Sequence, residues 1–217
     1  MDPSAWDARY AANDAVWSRA PNRWVEQLAA DLEPGSALDI AAGEGRHAVW
    51  LVEQGWNVRA TDFSPVAVSR LRERAQGLTS EQQQRLSWEV ADATGWVMRS
   101  ERDAYDLVLL SYLHLPPIGW AKALRNAIAR TRPGGHTLVV GHAGTNLTLG
   151  VGGPQRRDLL YDPSEILAIV DDLPVEPVVA DIWKREVPEE IRGALDTVAL
   201  LRRQLPRGRT GRRWTPW

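Results

Sequence analysis

The chain has 217 residues, 26 Lys and Arg against 28 Asp and Glu, a net charge of −2 and no cysteine. Disulfides, thiolate metal sites and arsenite methylation through a cysteine cluster are therefore excluded, and a near-neutral balance gives no argument for nucleic acid or an anionic membrane. A chain of this length buries roughly 70% of its unfolded surface and needs no staples, and no apolar run approaches the ~20 residues of a membrane span.

Met1 to Tyr10 is polar and lacks a signal-peptide core, so a soluble cytoplasmic protein is expected. Eleven tryptophans stand against one phenylalanine, which points to indoles in the core and at pocket rims. Trp6, Tyr10 and Trp17 read as too widely spread for one amphipathic helix. Asn22 to Asp31 reads as a helix with Trp24, Val25, Leu28 and Ala29 on one side, broken by Pro34-Gly35. Ala37-Leu38-Asp39-Ile40 then reads as a short buried strand. Gly43 and Gly45 form a turn in which a missing Cβ allows close approach of a ligand. A helix follows over Ala48 to Gln54, with Gly55 as its stop, and a second strand, Asn57 to Thr61, ends at Asp62.

Ser64 is a good N-cap and Pro65 suits the first helical position, so a helix runs to about Gln76. Thr79 to Gln84 reads as a polar connection, and Leu86 to Val90 as the third strand. Tyr105 to Ser111 is nearly all apolar, the signature of a central strand buried on both faces. Trp120 to Thr131 is the next helix, Arg132-Pro133-Gly134-Gly135 a tight turn, and His136 to Gly141 the fifth strand. His142 to Gln155 is glycine-rich and aperiodic, a length of loop that is usually functional. Ser164 to Asp171 is helical, Val175 to Val187 holds the sixth strand and Ala194 to Arg203 the seventh. From Arg202 the chain carries six arginines among Pro and Gly and reads as a solvated tail.

Strand, glycine turn, helix, strand and a terminal carboxylate outline a nucleotide-binding unit. Gly43-x-Gly45-x-x-Ala48 fits the dinucleotide fingerprint loosely, with Asp62 at about the ~20-residue distance of a ribose carboxylate. Asp39 tilts the reading, because a carboxylate there would repel a pyrophosphate and favour a cationic amino-acid ligand. Asp39-x-x-x-Gly43-x-Gly45 resembles motif I of class I S-adenosylmethionine-dependent methyltransferases. Asp62 resembles their ribose-binding acid and Asp92 their adenine-contacting acid. The Pro-Gly-Gly turn before the fifth strand also matches that family. Trp17-Ser-Arg-Ala-Pro21-Asn22 and the loop from Gly141 to Gln155 resemble the tellurite-resistance group and its small-molecule relatives.

The resemblance covers Trp6 to about Arg203. It implies a Rossmann-like, doubly wound α/β fold. The sheet would be seven-stranded and mostly parallel, with an antiparallel strand 7 and helices on both faces. It implies one methyltransferase domain over 1–205, a lid segment within 1–34 and a flexible basic tail over 206–217. Asp39, Ala41, Gly43, Gly45, Arg46, Asp62, Phe63, Ser64, Asp92, Ala93 and Ser111 would hold S-adenosylmethionine and its product S-adenosylhomocysteine. Trp17, Asn22, Asn146 and Gln155 would form the lid and substrate wall. Of four histidines, His47 and His136 read as structural. His114 and His142 follow strands 4 and 5 and face the crevice, where with Tyr112 they are the candidate catalytic residues. No spacing indicates a metal. The expected partner is a small-molecule acceptor for a monomer or homodimer, with no nucleic acid and no membrane. Leu115-Pro116-Pro117 lacks the polar residue of amino-group DNA methyltransferases. A nicotinamide-dependent oxidoreductase and a silent S-adenosylmethionine-binding protein stand as alternatives.

Overall fold

The computed structural model describes residues 3–12, 18, 20–95 and 104–206. Its strands are β1 Ser36–Ile40, β2 Asn57–Asp62, β3 Leu86–Val90, β4 Tyr105–Ser111, β5 Thr131–His142, β6 Val175–Arg185 and β7 Ala194–Arg203. Its helices are α1 Pro3–Ala12, α2 Arg23–Ala29, α3 Arg46–Glu53, α4 Pro65–Ala75, α5 Ser80–Gln84, α6 Pro117–Arg130, α7 Asn146–Leu149 and α8 Pro163–Val170. The strand order is β3-β2-β1-β4-β5-β7-β6. β1 to β5 pair in parallel, and β7 lies antiparallel between β5 and β6. The expected architecture is the one observed.

Side-chain alternation along the strands feeds two cores. Ala37, Leu107, Leu109, Leu138 and Val198 pack under α2, α3 and α4. Leu38, Ile40, Val108, Leu110 and Val139 pack under α6 and α8. The strand order reverses between β1 and β4. The chain leaves these two neighbours toward opposite sides, which opens a crevice at their carboxyl ends. β7 adds a second consequence, because antiparallel pairing sets Asp196 directly across from His142.

Local chemistry starts the helices. The Ser64 hydroxyl accepts from the Ala67 amide and Pro65 takes the first position of α4. Thr79 and Gln82 form a reciprocal capping box, so Thr79 to Gln84 is a short helix rather than a bare connection. Trp6 and Tyr10, four residues apart, share α1, which ends at Ala12, and bring their ring centroids to 5.6 Å. Two further expectations need correction. The α6 helix starts at Pro117, three residues before the expected Trp120, because Pro is tolerated in a first turn. The Pro-Gly-Gly segment interrupts the β4–β5 ladder as an irregularity inside β5, with pairing resumed at Leu107 and His136. The 142–155 stretch also contains the single turn of α7. Among the described residues, no helix is long and apolar enough to cross a membrane, and no His/Cys/Asp/Glu cluster could hold a metal.

Candidate active site

The chain leaves β1 through Ala41, whose φ of 57° is rare for a residue with a Cβ. Gly43 and Gly45 follow at 56° and 77°. The turn is fixed from β2: the Ala42 amide donates to the Thr61 carbonyl at 2.9 Å, and the Gly43 amide donates to Asp62 Oδ2 at 2.8 Å. Asp62 Oδ1 accepts from the Ser64 amide at 2.9 Å. Asp62 thus ties two strand ends together. A carboxylate has about four acceptor positions, so further donors can still be received. Gly45 also has a packing role. A Cβ there would meet the Leu71 side chain at 2.5 Å, so its bareness lets α3 pack on α4.

Asp39 is buried at the end of β1, and neither of its oxygens has a hydrogen-bond partner among the described residues. Burial pushes its pKa up to about 7, against the opposing pull of Arg46, with Asp62 adding to the rise. The buried Ser111 hydroxyl at the end of β4 is likewise unpartnered. An anionic carboxylate and a free hydroxyl beside a glycine turn suit a ligand with an ammonium group. They do not suit a pyrophosphate. The crevice holds about 930 Å³, part of it open to solvent. Its lining includes Ala41 to Glu44, Arg46, Asp62, Phe63, Asp92, Ala93 and Ser111. Trp6 and Tyr10 of α1 close one side. Asp92 turns one oxygen back onto Thr94, accepting from its amide and hydroxyl at 2.7 and 2.9 Å.

Tyr112, His114, Trp6 and Arg46 also line an adjoining hollow of about 1780 Å³, likewise part solvent. Tyr112 leaves β4 at φ 53°. Its hydroxyl donates to Asp196 Oδ2 at 2.9 Å and receives the Asn22 side-chain amide at 2.8 Å. Burial and the Asp196 carboxylate push the phenol pKa upward, so it stays protonated. The Arg46 guanidinium sits 5.8 Å from the centre of its ring. Fully buried Asp196 accepts at Oδ2 from Trp24 Nε1 at 3.1 Å and Arg185 Nε at 2.8 Å, while its Oδ1 faces His142 Nδ1 across 3.3 Å without a hydrogen bond. Burial opposes its ionisation, but His142 and Arg185 hold its pKa below the ordinary value. His114 Nδ1 lies 2.8 Å from the Leu159 carbonyl and must carry the proton, which leaves Nε2 with a lone pair. Burial, with some help from His142, lowers its pKa to about 4. The two imidazoles stack at 5.6 Å and 10°.

Residues 37–135 match the model of a methyltransferase domain. The match spans a little under half of the chain, and the fold is shared with the following solved structures. The structure reported for conversion of a disulfide bond into a thioacetal group during echinomycin biosynthesis is 21% identical, with TM-score 0.70 and 95% and 93% of the two chains covered. The N-methyltransferase NodS from Bradyrhizobium japonicum, solved with S-adenosylhomocysteine, is 16% identical, with TM-score 0.69 over 93% and 99%. TehB from Haemophilus influenzae is 18% identical, with TM-score 0.67 over 86% and 63%. Hemagglutinin 1 from Eikenella corrodens is 26% identical over 116 residues, and that match spans 54% of this chain and 37% of the relative's length.

The fold brings most of the sequence candidates to the two adjoining hollows. Trp17 lies outside the described residues. Asn22 caps α2 and reaches Tyr112, while its own amide donates to Nε2 of the buried His47 at 3.2 Å. Asn146 does not line either hollow. Its amide group donates to the Val151 and Gly152 carbonyls and accepts from the Leu195 amide at 2.7 Å, so it pins the loop to β7 from behind. Gln155 lines the larger hollow. The sequence reading missed Asp196, Arg185, Trp6 and Tyr10. One signal for Asp196 was there to be used: it is a lone carboxylate in the otherwise apolar and neutral run Ala194 to Leu201.

Proposed function

We propose that this chain transfers the methyl group of S-adenosylmethionine to a nucleophilic atom of a small organic acceptor seated in the larger hollow. The observation that carries the reading is that two adjoining hollows share Arg46, Tyr112 and His114 as lining. The first is built on the turn that follows β1, where the Asp39 carboxylate is buried, and the second is walled by two imidazoles. When bound, the cofactor supplies an electrophilic methyl on a sulfonium. Asp39 and Ser111 would hold its amino-acid end, Asp62 its ribose hydroxyls, and Asp92 with Ala93 its adenine.

The residues around the junction align the acceptor and exclude water, the main requirements of in-line displacement. For an acceptor that carries a proton, His142 accepts it at Nε2. Its Nδ1 lies 3.3 Å from Asp196 Oδ1, and that carboxylate balances the charge that develops. His114 keeps its Nδ1 proton on Leu159 and orients the acceptor through Nε2. Tyr112 contributes its ring rather than acid–base chemistry, because its hydroxyl is committed to Asp196.

The test is to follow S-adenosylhomocysteine release across phenols, amines, thiols and halides, with calorimetry for the cofactor. S-adenosylhomocysteine is expected to bind and nicotinamide dinucleotides are not. His142→Ala should lower turnover about 10²–10⁴-fold on a phenol, the usual worth of a general base, and little on a halide or preformed thiolate. Dinucleotide binding without S-adenosylhomocysteine binding would overturn the proposal.

A further inference from the structure

The larger hollow is far more basic than the molecule that contains it. The whole chain carries −2. Yet the wall of this hollow presents the five arginines Arg9, Arg23, Arg46, Arg156 and Arg185, and no Asp or Glu among the described lining residues. The cofactor crevice has the opposite character, with Glu44, Asp62 and Asp92 on its wall.

These arginines do not come from one basic stretch. They reach the hollow from α1, α2, the first residue of α3, the loop after α7 and the last residue of β6. A run of charge along one element is commonly a solvated face. Convergence from five separate segments on one cavity is a property of the fold. It also has an energetic cost, because like charges repel. Burial depresses the pKa of Arg46, and Arg185 adds to this against the stabilising pull of Tyr112 and Asp39. Arg185 pairs with Asp196 and Arg156 with Asp158. Those carboxylates lie outside the cavity wall.

We propose that the acceptor is an organic anion, carrying a carboxylate or phosphate group that the arginines hold while a second group receives the methyl. The inference rests on the methyl-transfer reading of this same site. A hollow of about 1780 Å³, even with its share of open solvent, is oversized for a bare inorganic oxyanion, so an organic frame is specified as well as a charge. Arg46, which lines both hollows, marks where the anion would sit relative to the methyl. The planar guanidinium fork matches carboxylate and phosphate oxygens in pairs, which fixes orientation as well as affinity.

The experiment titrates the S-adenosylhomocysteine-loaded protein, following tryptophan fluorescence, with a panel of aromatic and aliphatic carboxylic acids. Each acid is paired with its neutral primary amide, and phosphate monoesters are paired with their parent alcohols. Carboxylates or phosphates should bind at least tenfold tighter than their neutral partners, and the preference should shrink as salt is raised. Arg23→Gln combined with Arg156→Gln should remove most of that preference and leave the S-adenosylhomocysteine dissociation constant unchanged. Whichever arm, acid or phosphate, shows the larger preference identifies the anion. Equal affinity for charged and neutral members, no binding by any anion at millimolar concentration, or a preference untouched in the double variant would each overturn the proposal. A charge preference with no methyl transfer to any panel member would leave this inference standing and count against the proposed reaction.

Discussion

Asp39 is a carboxylate without a partner, and the free protein bears the cost of it. Its pKa is raised from 3.8 to about 7, chiefly by burial. Between those values the folded state holds a proton that the unfolded chain has released. Stability therefore falls as pH rises through that window and levels above about 7. Asp39→Asn should flatten this slope. Thermal midpoints measured without cofactor should agree near pH 4 and favour the variant near pH 8. An ammonium ligand selects the ionised form, so cofactor binding should release protons near pH 6 and strengthen as pH rises to about 7. Calorimetry in two buffers of different ionisation enthalpy measures this directly. In Asp39→Asn the release should vanish and affinity should fall at least tenfold, given about 1.5–3 kcal/mol for a charged hydrogen bond. Proton release of the same size in the variant would assign it to another group. Asp39 and Asp62 were legible in the sequence because each ends a strand and sits within a short, recognisable segment. Asp196 was not, because its donors lie 11 to 172 residues away and only the folded sheet collects them.

The loop after β5 was readable as functional but not as structured. Asn146 ties the loop down through the Val151 and Gly152 carbonyls, and Gly153 is pressed against the His142 ring. Gly152 and Gly153 share a left-handed φ, at 70° and 75°, but differ in surroundings. A Cβ on Gly152 meets nothing within 4 Å, whereas one on Gly153 would lie 2.4 Å from His142 Cδ2. Gly152→Ala and Gly153→Ala therefore carry similar backbone strain, on the order of 1 kcal/mol, and only the second displaces the imidazole. Turnover on a protonated acceptor should fall at least tenfold in Gly153→Ala and less than threefold in Gly152→Ala, with equal cofactor affinity in both. Equal losses in the pair would show that loop strain, not the His142 contact, limits the reaction. The α1 helix was illegible for another reason. It buries Tyr10 and packs mainly on α4, so the mark it leaves in the sequence is two aromatics four residues apart rather than a periodic stripe.

At the scale of the whole sheet, the parallel half builds the proposed cofactor crevice, and the antiparallel insertion of β7 completes the proposed acceptor side. Asp196 on β7 is the cross-strand partner of His142 on β5 and of Trp183 on β6. It is a fully buried charge whose guanidinium partner, Arg185, is three-quarters buried. Pairs of this kind contribute less by forming than they cost when broken on one side, because the remaining charge is left in a poor solvent. Arg185→Gln should consequently lower the thermal midpoint by several degrees, at roughly 2–4 °C per kcal/mol for a chain of this size. Adding Asp196→Asn should recover part of that loss, since the charge left behind is gone. Asp196→Asn alone should act on chemistry more than on stability. An asparagine can keep its carbonyl toward the Trp24 and Tyr112 donors only by turning its NH₂ to His142 Nδ1, which forces the imidazole proton onto Nε2. His142 then cannot accept a proton. Turnover on a protonated acceptor should fall about 10²–10⁴-fold, turnover on a preformed thiolate should change little, and the S-adenosylhomocysteine dissociation constant should stay within threefold. If the double variant is no more stable than Arg185→Gln, Asp196 is not a stranded charge. If Asp196→Asn slows thiolate and phenol alike, its work is to hold Tyr112 and Trp24 in place, and the tautomer of His142 does not depend on it.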